Sequence, residues 1–325
     1  GLLKKNKQHN TFDFSVVGFG STAYPNFCQF AYETHEALNS LEKSSSFQEM
    51  FTVNDQSFES FTNWTDAWSN KVGVNIHLEK PILSTKTQAP STFKVLNKAE
   101  IAEDDTFLLR LKNLDGAKPV SGDLLSVVPS DGARERLYSI GKLNSGSLVL
   151  SIRRHENGLC SNYLHQLKAE EKLTATLVTN RNFHFLKNAK KTILIATGTG
   201  IGPFLGMIDE NTKKKEIHLY WGARTNNAFN LYEEHINSGL ATGKLTKFKT
   251  AYSRNQAKKV YVQHLIKNDQ DLFIEVLQHK GCIMICGSIA MQKEVIIELQ
   301  KLCKNHLNKD LSYYQNRKQI KMDCY

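Results

Sequence analysis

The chain is expected to fold as three modules: half of an α/β domain, a small antiparallel β-barrel, and a doubly wound parallel α/β domain. Three observations predict this. Its 325 residues are more than one hydrophobic core usually serves and suit two or three domains. A Pro-, Ser- and Thr-rich stretch, Lys80 to Thr92, reads as a linker. The hydrophobic pattern also changes twice along the chain, from strand-helix alternation to closely spaced short strands and back again.

In the first module, FSVVGFG reads as one buried strand that ends in a Gly turn, followed by a helix from about Pro25 to Ser40. A second strand (QEMFTVND) and a second helix (Ser57 to Asn70) complete a β-α-β-α order. From Thr92 to about Val178 come six short strands, TFKVL, TFLLRL, DLLSVVP, RLYSI, SLVLSIRR and KLTATLV, the signature of a small barrel. One helix, Ser161 to Leu167, interrupts them. Beyond Lys190 the strands TILIAT, EIHLYWGA, KFKTAYS and CIMICG alternate with helices, as in a parallel doubly wound sheet. The boundaries are therefore 1–80, a linker at 81–91, 92–189 and 190–325.

Composition narrows the function. With 40% apolar and 23% charged residues the chain is globular. No apolar run reaches the roughly 18 residues of a membrane span, and its start does not read as an export signal. The six cysteines form no CxxC pair and no Cys/His block, which predicts free thiols, a cytosolic setting and no metal site. The net charge of +10 is uneven: residues 1–90 hold 7 Lys/Arg against 9 Asp/Glu, and the remainder 35 against 23. Its basic runs carry no interleaved aromatics, so a solvated basic surface is the expectation, not a nucleic-acid groove.

The strongest local signal is ILIATGTGIGPFLGMI, an apolar strand that runs into Gly198, Thr199, Gly200 and Gly202 and then into a helix. Closely spaced glycines let backbone N–H groups approach a pyrophosphate, and the helix start adds partial positive charge. Where an NAD site usually carries an acid after its second strand, this chain has Arg224. Ser253, Arg254, Lys259 and Tyr261 follow the next strand, and together these residues suit one extra phosphate. In the barrel, alternation puts Arg136 and Tyr138 on one face of a strand with Ser139 opposite. An Arg beside an aromatic suits a flat ring with a diphosphate tail. The helix start at Gly158, Cys160 and Ser161 offers further N–H groups, so the set implies a flavin nucleotide.

Through GFGSTAYPNFCQFA, RLYSI, GLCSNYL, ATGTGIGPF, WGAR, AYSRNQAKKVYVQH, ICGS and the terminal KMDCY, in that order, the chain resembles the NADPH-dependent diflavin reductases. These include haemoprotein reductases, the sulfite reductase flavoprotein subunit and the reductase half of nitric oxide synthase. The resemblance implies a partial flavodoxin-like domain, an antiparallel FAD-binding barrel and a doubly wound NADP-binding domain, the last two ferredoxin-NADP reductase-like. It also implies a relay from NADPH to FAD to FMN and on to a haem, metal or other protein acceptor. Arg136, Tyr138 and Ser139 would hold FAD, and Gly158, Cys160 and Ser161 its pyrophosphate. Gly198, Thr199 and Gly200 would hold the NADPH diphosphate, and Arg224, Ser253, Arg254, Lys259 and Tyr261 its 2′-phosphate. Ser139, Cys286, Asp323 and Tyr325 would form the catalytic set, with Tyr325 stacked on the flavin. Gly18, Gly20, Ser21 and Tyr24 resemble one FMN loop, and Asp55 lies in a second.

The chain departs from the family in two places. It opens where the last two strands of a flavodoxin-like sheet begin, so the expectation is a fragment that binds FAD well and FMN poorly or not at all, with any membrane anchor in the preceding part. Between DLLSVVP and RLYSI only Ser130 to Glu135 stands where most relatives insert a helical connecting domain. A single-flavin ferredoxin- or flavodoxin-NADP reductase and a non-catalytic flavodoxin-like interaction module are the rival readings.

Overall fold

The structure is a computed structural model. It describes the chain apart from residues 1–10, 21–25, 55–57, 75, 77, 79–88, 100–104, 131–132, 134, 187 and 256–258. Ser21, Tyr24, Asp55 and most of the expected linker lie outside the described residues. The chain divides into two compact units, Gly1–Ser84 and Thr85–Tyr325.

In the first unit, β1 (Phe12–Phe14) pairs in parallel with β3 (Ser44–Ser46), and β2 (Val17–Gly20) with β4 (Phe51–Asn54). FSVVGFG is therefore two strands, not one. Two residues separate β1 from β2 but four separate β3 from β4, so one ladder cannot run through. At the break the Ser15 hydroxyl accepts from Gln48 Nε2 at 2.5 Å and from Trp64 Nε1 at 3.1 Å. Helices α1 (Gln29–Asn39) and α2 (Phe58–Val72) follow β2 and β4. The first starts later than expected because Cys28 is left-handed, with φ 52°, and cannot be part of the helix.

In the second unit a seven-stranded antiparallel sheet comprises β5 (Ser91–Lys98), β6 (Thr106–Asn113), β7 (Leu124–Val127), β8 (Arg136–Ser139), β9 (Gly141–Lys142), β10 (Leu148–Arg153) and β11 (Lys172–Val178). Its order is β8-β7-β11-β5-β6-β10-β9. The two end strands are consecutive in the chain, so the sheet curls until its edges meet across Ile140. This gives a nearly closed barrel around Phe93, Leu109, Leu111, Leu125, Leu150 and Leu173, all fully buried. Helix α3 (Leu159–Gln166) begins two residues before the expected Ser161, because Gly158 takes the extended N-cap position.

Five parallel strands follow: β12 (Lys191–Thr197), β13 (Glu216–Ala223), β14 (Lys247–Tyr252), β15 (Cys282–Gly287) and β16 (Ile320–Cys324). Helices α4 (Gly202–Asp209), α5 (Glu233–Ala241), α6 (Val262–Asn268), α7 (Gln270–Gln278), α8 (Ile289–His306) and α9 (Leu311–Asn316) complete the module. The order β14-β13-β12-β15-β16 reverses direction between β12 and β15, and the strand ends at such a switch point are where open α/β sheets bind ligands. The apolar strands bury both faces of the sheet, one against α4 and α5, the other against α6, α7 and α8.

Barrel and parallel sheet meet at glycine. A Cβ at Gly141 would stand 2.5 Å from the Gly202 carbonyl oxygen and 2.9 Å from the Gly206 nitrogen, so β9 lies directly on the backbone of α4. Polar bonds fix the contact: Ser121 Oγ and Lys142 Nζ reach Glu210 at 2.8 and 2.9 Å, and Ser151 Oγ lies 2.7 Å from the Tyr232 hydroxyl. None of the six cysteines is bridged. Among the described residues no helix is long and apolar enough to cross a membrane, and no group of His, Cys, Asp and Glu could hold a metal ion.

Candidate active site

The switch point is built by backbone contact. Trp221, buried in β13, donates its indole N–H to the Gly198 carbonyl at 3.0 Å and fixes the start of the Gly-rich loop. A methyl group at Gly200 would collide with the Cys286 carbonyl, so this loop lies against the end of β15. Gly198, by contrast, has φ +52° and nothing within 4 Å of where a side chain would stand. The loop thus presses on the sheet at Gly200 and is open at Gly198, a shape that suits a ligand diphosphate.

Of the terminal KMDCY, Lys321 to Cys324 belong to β16 and Tyr325 follows it. In its register with β15, Asp323 is the direct partner of Cys286. From the barrel, Ser139 Oγ donates to Asp323 Oδ2 at 2.6 Å. Asn180 Nδ2, on the connector between β11 and β12, approaches Asp323 Oδ1 at 3.4 Å. Burial pushes the Asp323 carboxyl up, and the Ser139 and Asn180 bonds pull it partly back. The Cys286 thiol is fully buried and held well above the ordinary range, first by burial and then by Asp323 and Cys324, so it is a neutral thiol. Beside them the Tyr325 hydroxyl lies 3.1 Å from Thr199 Oγ1, while its backbone N–H donates to the Gly287 carbonyl at 3.0 Å. Ser139, Cys286, Asp323, Tyr325 and Thr199 are thus one cluster at the seam of barrel and sheet.

A second cluster lies on the barrel. Tyr138 on β8 meets Cys160 on α3, and the charge of Arg136 reaches both. Burial raises both groups. Cys160 Sγ also contacts the Val127 carbonyl at 3.7 Å. No side chain caps the first turn of α3 at Gly158, and Ser161 Oγ instead accepts from the His155 N–H at 3.1 Å and donates to the Gly158 carbonyl at 3.2 Å. The Arg136, Tyr138 and α3 groups fit a flavin nucleotide.

The third cluster lies at the ends of β13 and β14. Arg254 N–H donates to the Arg224 carbonyl at 2.8 Å, and Ser253 N–H to the Ala223 carbonyl at 3.1 Å, which sets these residues side by side. The Val260 N–H returns to the Tyr252 carbonyl at 3.2 Å and brings exposed Lys259 and Tyr261 back to the strand end. Tyr261 caps α6, its N–H on His264 Nδ1 at 3.2 Å. In the first unit Gly18 and Gly20 both pack against Cys28.

Residues 194–296 match the model of the oxidoreductase NAD-binding domain. The chain is 32% identical over 208 residues to NADPH--cytochrome P450 reductase of Salmo trutta, a match that covers 60% of this chain and 33% of that protein. It is 32% identical over 157 residues to nitric oxide synthase of Anopheles stephensi, across 45% of this chain and 12% of the relative. The ferredoxin-NADP+ reductase from Plasmodium falciparum superposes with a TM-score of 0.61 at 21% identity, over 73% of this chain and 96% of that one. The chain is thus similar to the NADPH-dependent diflavin reductases. Its fold is ferredoxin-NADP reductase-like over the superposed part, and the chain spans a third or less of the length of these two relatives. Asn180 and Asp123 were not singled out in the sequence, and Trp221 only as part of the WGAR motif; the chain's path brings all three to the site.

Proposed function

We propose that the reductase passes reducing equivalents from NADPH to FAD, and from there as single electrons through FMN to a haem, metal or other protein acceptor. The observation that carries this reading is the Ser139-Asp323-Cys286 cluster between the flavin-fitting face of the barrel and the diphosphate-fitting loop. Bound NADPH supplies a hydride and bound FAD accepts it. Ser139 holds Asp323 in place with a short hydrogen bond, and Asp323 stabilises the positive charge that develops where hydride leaves. Neutral Cys286 fills the floor between them. Tyr325 covers the flavin position and excludes water until nicotinamide docks.

Around this centre, Arg136, Tyr138, Gly158, Cys160 and Ser161 bind FAD, and Gly198, Thr199 and Gly200 the NADPH diphosphate. Arg224, Ser253, Arg254, Lys259 and Tyr261 read the 2′-phosphate. Gly18 and Gly20, with Ser21, Tyr24 and Asp55, form the FMN loops. A single-flavin reading is favoured by one observation, that barrel and parallel sheet complete the Ser139-Asp323 seam within the second unit alone.

Anaerobic titration, followed by the visible spectrum and chromatography of the released flavins, separates these readings. Expected are bleaching of bound FAD by NADPH in clear preference to NADH, and FMN well below one equivalent. FMN at one equivalent would exclude the single-flavin reading and overturn the expectation of weak FMN binding, and no flavin at all would leave an interaction module. In stopped flow, Asp323→Asn is expected to slow flavin reduction on the order of 10²-fold with little change in NADPH affinity. An unchanged rate would remove Asp323 from the reacting centre.

A further inference from the structure

The connector from β11 to β12 is held more rigidly than a surface loop needs to be. Asp123, only 6% exposed at the start of β7, accepts three hydrogen bonds. Its Oδ1 takes the Asn180 N–H at 2.9 Å and lies 2.6 Å from His184 Nε2, while its Oδ2 takes the Val120 N–H at 2.9 Å. Both ends of the segment 180–184 are therefore fixed to one buried carboxylate of the barrel. Between them the fully buried Phe183 packs on Phe204 of α4, ring centroids 5.9 Å apart. From the sheet side, buried Lys321 donates to the His184 carbonyl at 2.6 Å. Lys321 and Asp323 alternate onto the same side of β16, so one strand both grips the connector and presents its carboxylate to it.

We propose that Asn180 is a positioning residue for Asp323: Asp123 anchors the connector, the connector sets the Asn180 amide on Oδ1, and Ser139 is left to hold Oδ2. The carboxylate is thereby held from two elements, closely by the barrel at Oδ2 and more loosely by the connector at Oδ1. Its role in hydride transfer rests on the reductase reading; its geometry does not. Among the described residues, the titratable groups that face Asp323 are Cys286 on β15, Cys324 on its own strand and Tyr325 just after it. Lys321 is turned to the His184 carbonyl.

An amide that donates to the ionised carboxylate favours that form, so its removal must raise the proton affinity of Asp323. The test is infrared titration of the full chain with ¹³C-labelled aspartate and whatever flavin it retains, the Asp323 band being the one lost in Asp323→Asn. Asn180→Ala, at a half-buried position, is expected to move the midpoint up by about half a pH unit to one pH unit. Asp123→Asn, which leaves the Asn180 side chain intact, is expected to move it in the same direction, and the acid limb of the NADPH-dependent rate should follow in both. An unmoved midpoint in Asn180→Ala overturns the proposal even if Asp123→Asn does not fold. A midpoint moved by Asn180→Ala and not by a folded Asp123→Asn overturns the anchoring role. If the wild type is not reduced by NADPH at all, the reductase reading falls and takes the role in hydride transfer with it, whereas an NADPH-reducible wild type with an unmoved midpoint in Asn180→Ala defeats the positioning alone.

Discussion

Tyr325 is tied to the phosphate loop by a single side-chain bond, from its hydroxyl to Thr199 Oγ1. The ring is otherwise 62% exposed. A nucleotide diphosphate that takes the Thr199 hydroxyl competes with that bond, so ligand entry and release of the ring are opposed at one oxygen. Tyr325→Phe keeps the ring and deletes the competitor. By calorimetry its affinity for NADP+ is expected to rise about two- to ten-fold, the worth of one net hydrogen bond. In the Thr199→Val background the same change should have no effect, because the shared oxygen is gone. Equal affinity of Tyr325→Phe and wild type would show that the bond is exchanged for water at no cost.

At the scale of elements, the junction of β9 with α4 depends on a missing Cβ. Alanine at Gly141 would meet two backbone atoms of α4, which cannot rotate away as a side-chain tip can. Gly141→Ala is expected to cost about 1–3 kcal/mol, read as a lower urea midpoint with an unchanged slope; an unchanged midpoint would mean that the two backbones can part. Elements of this unit were legible in the sequence where apolar runs are bounded by turns. All six predicted barrel strands and four strands of the parallel sheet are present, because each is a short run whose burial its own residues dictate. The fifth, β16, escaped because Lys321 and Asp323 interrupt its apolar pattern, and both are there for partners elsewhere in the chain. FSVVGFG misled for the opposite reason: its residues suit one strand, but the unequal gap in the partner ladder splits it. Candidate-site residues could be named wherever a motif carries them, at Gly198 in its loop or Arg136 on β8. Asn180 could not, since what places it is a bond to Asp123, 57 positions away.

Across the whole molecule the ionic links of the parallel sheet act in one direction on acid stability. Burial raises the carboxyls of Asp209, Glu216 and Asp269, but their partners outweigh it and hold each below its ordinary value. Those partners are Lys244 and the Asn144 N–H for Asp209, His218 and Lys191 for Glu216, and Lys249 with the Tyr220 hydroxyl for Asp269. A depressed carboxyl stabilises the folded chain fully above its unfolded value and loses that contribution as pH falls through the folded one. Asp323, raised by burial, works the other way, but it is one group against these three and Glu298, which Lys301 and Lys267 hold down likewise. A net charge of +10 adds repulsion that grows as carboxylates are protonated. The thermal midpoint is therefore expected to slip gently below about pH 6.5, where burial disfavours protonation of His165 and His235, and to fall steeply below about pH 4, where ordinary carboxylates titrate. Asp269→Asn separates the links from the net charge. It should melt lower than wild type at pH 7, and the gap should close as the pH falls, because acid removes from the wild type what the substitution has already removed. A gap that stays constant into acid would mean that Asp269 contributes through packing, and that repulsion alone sets the acid limit.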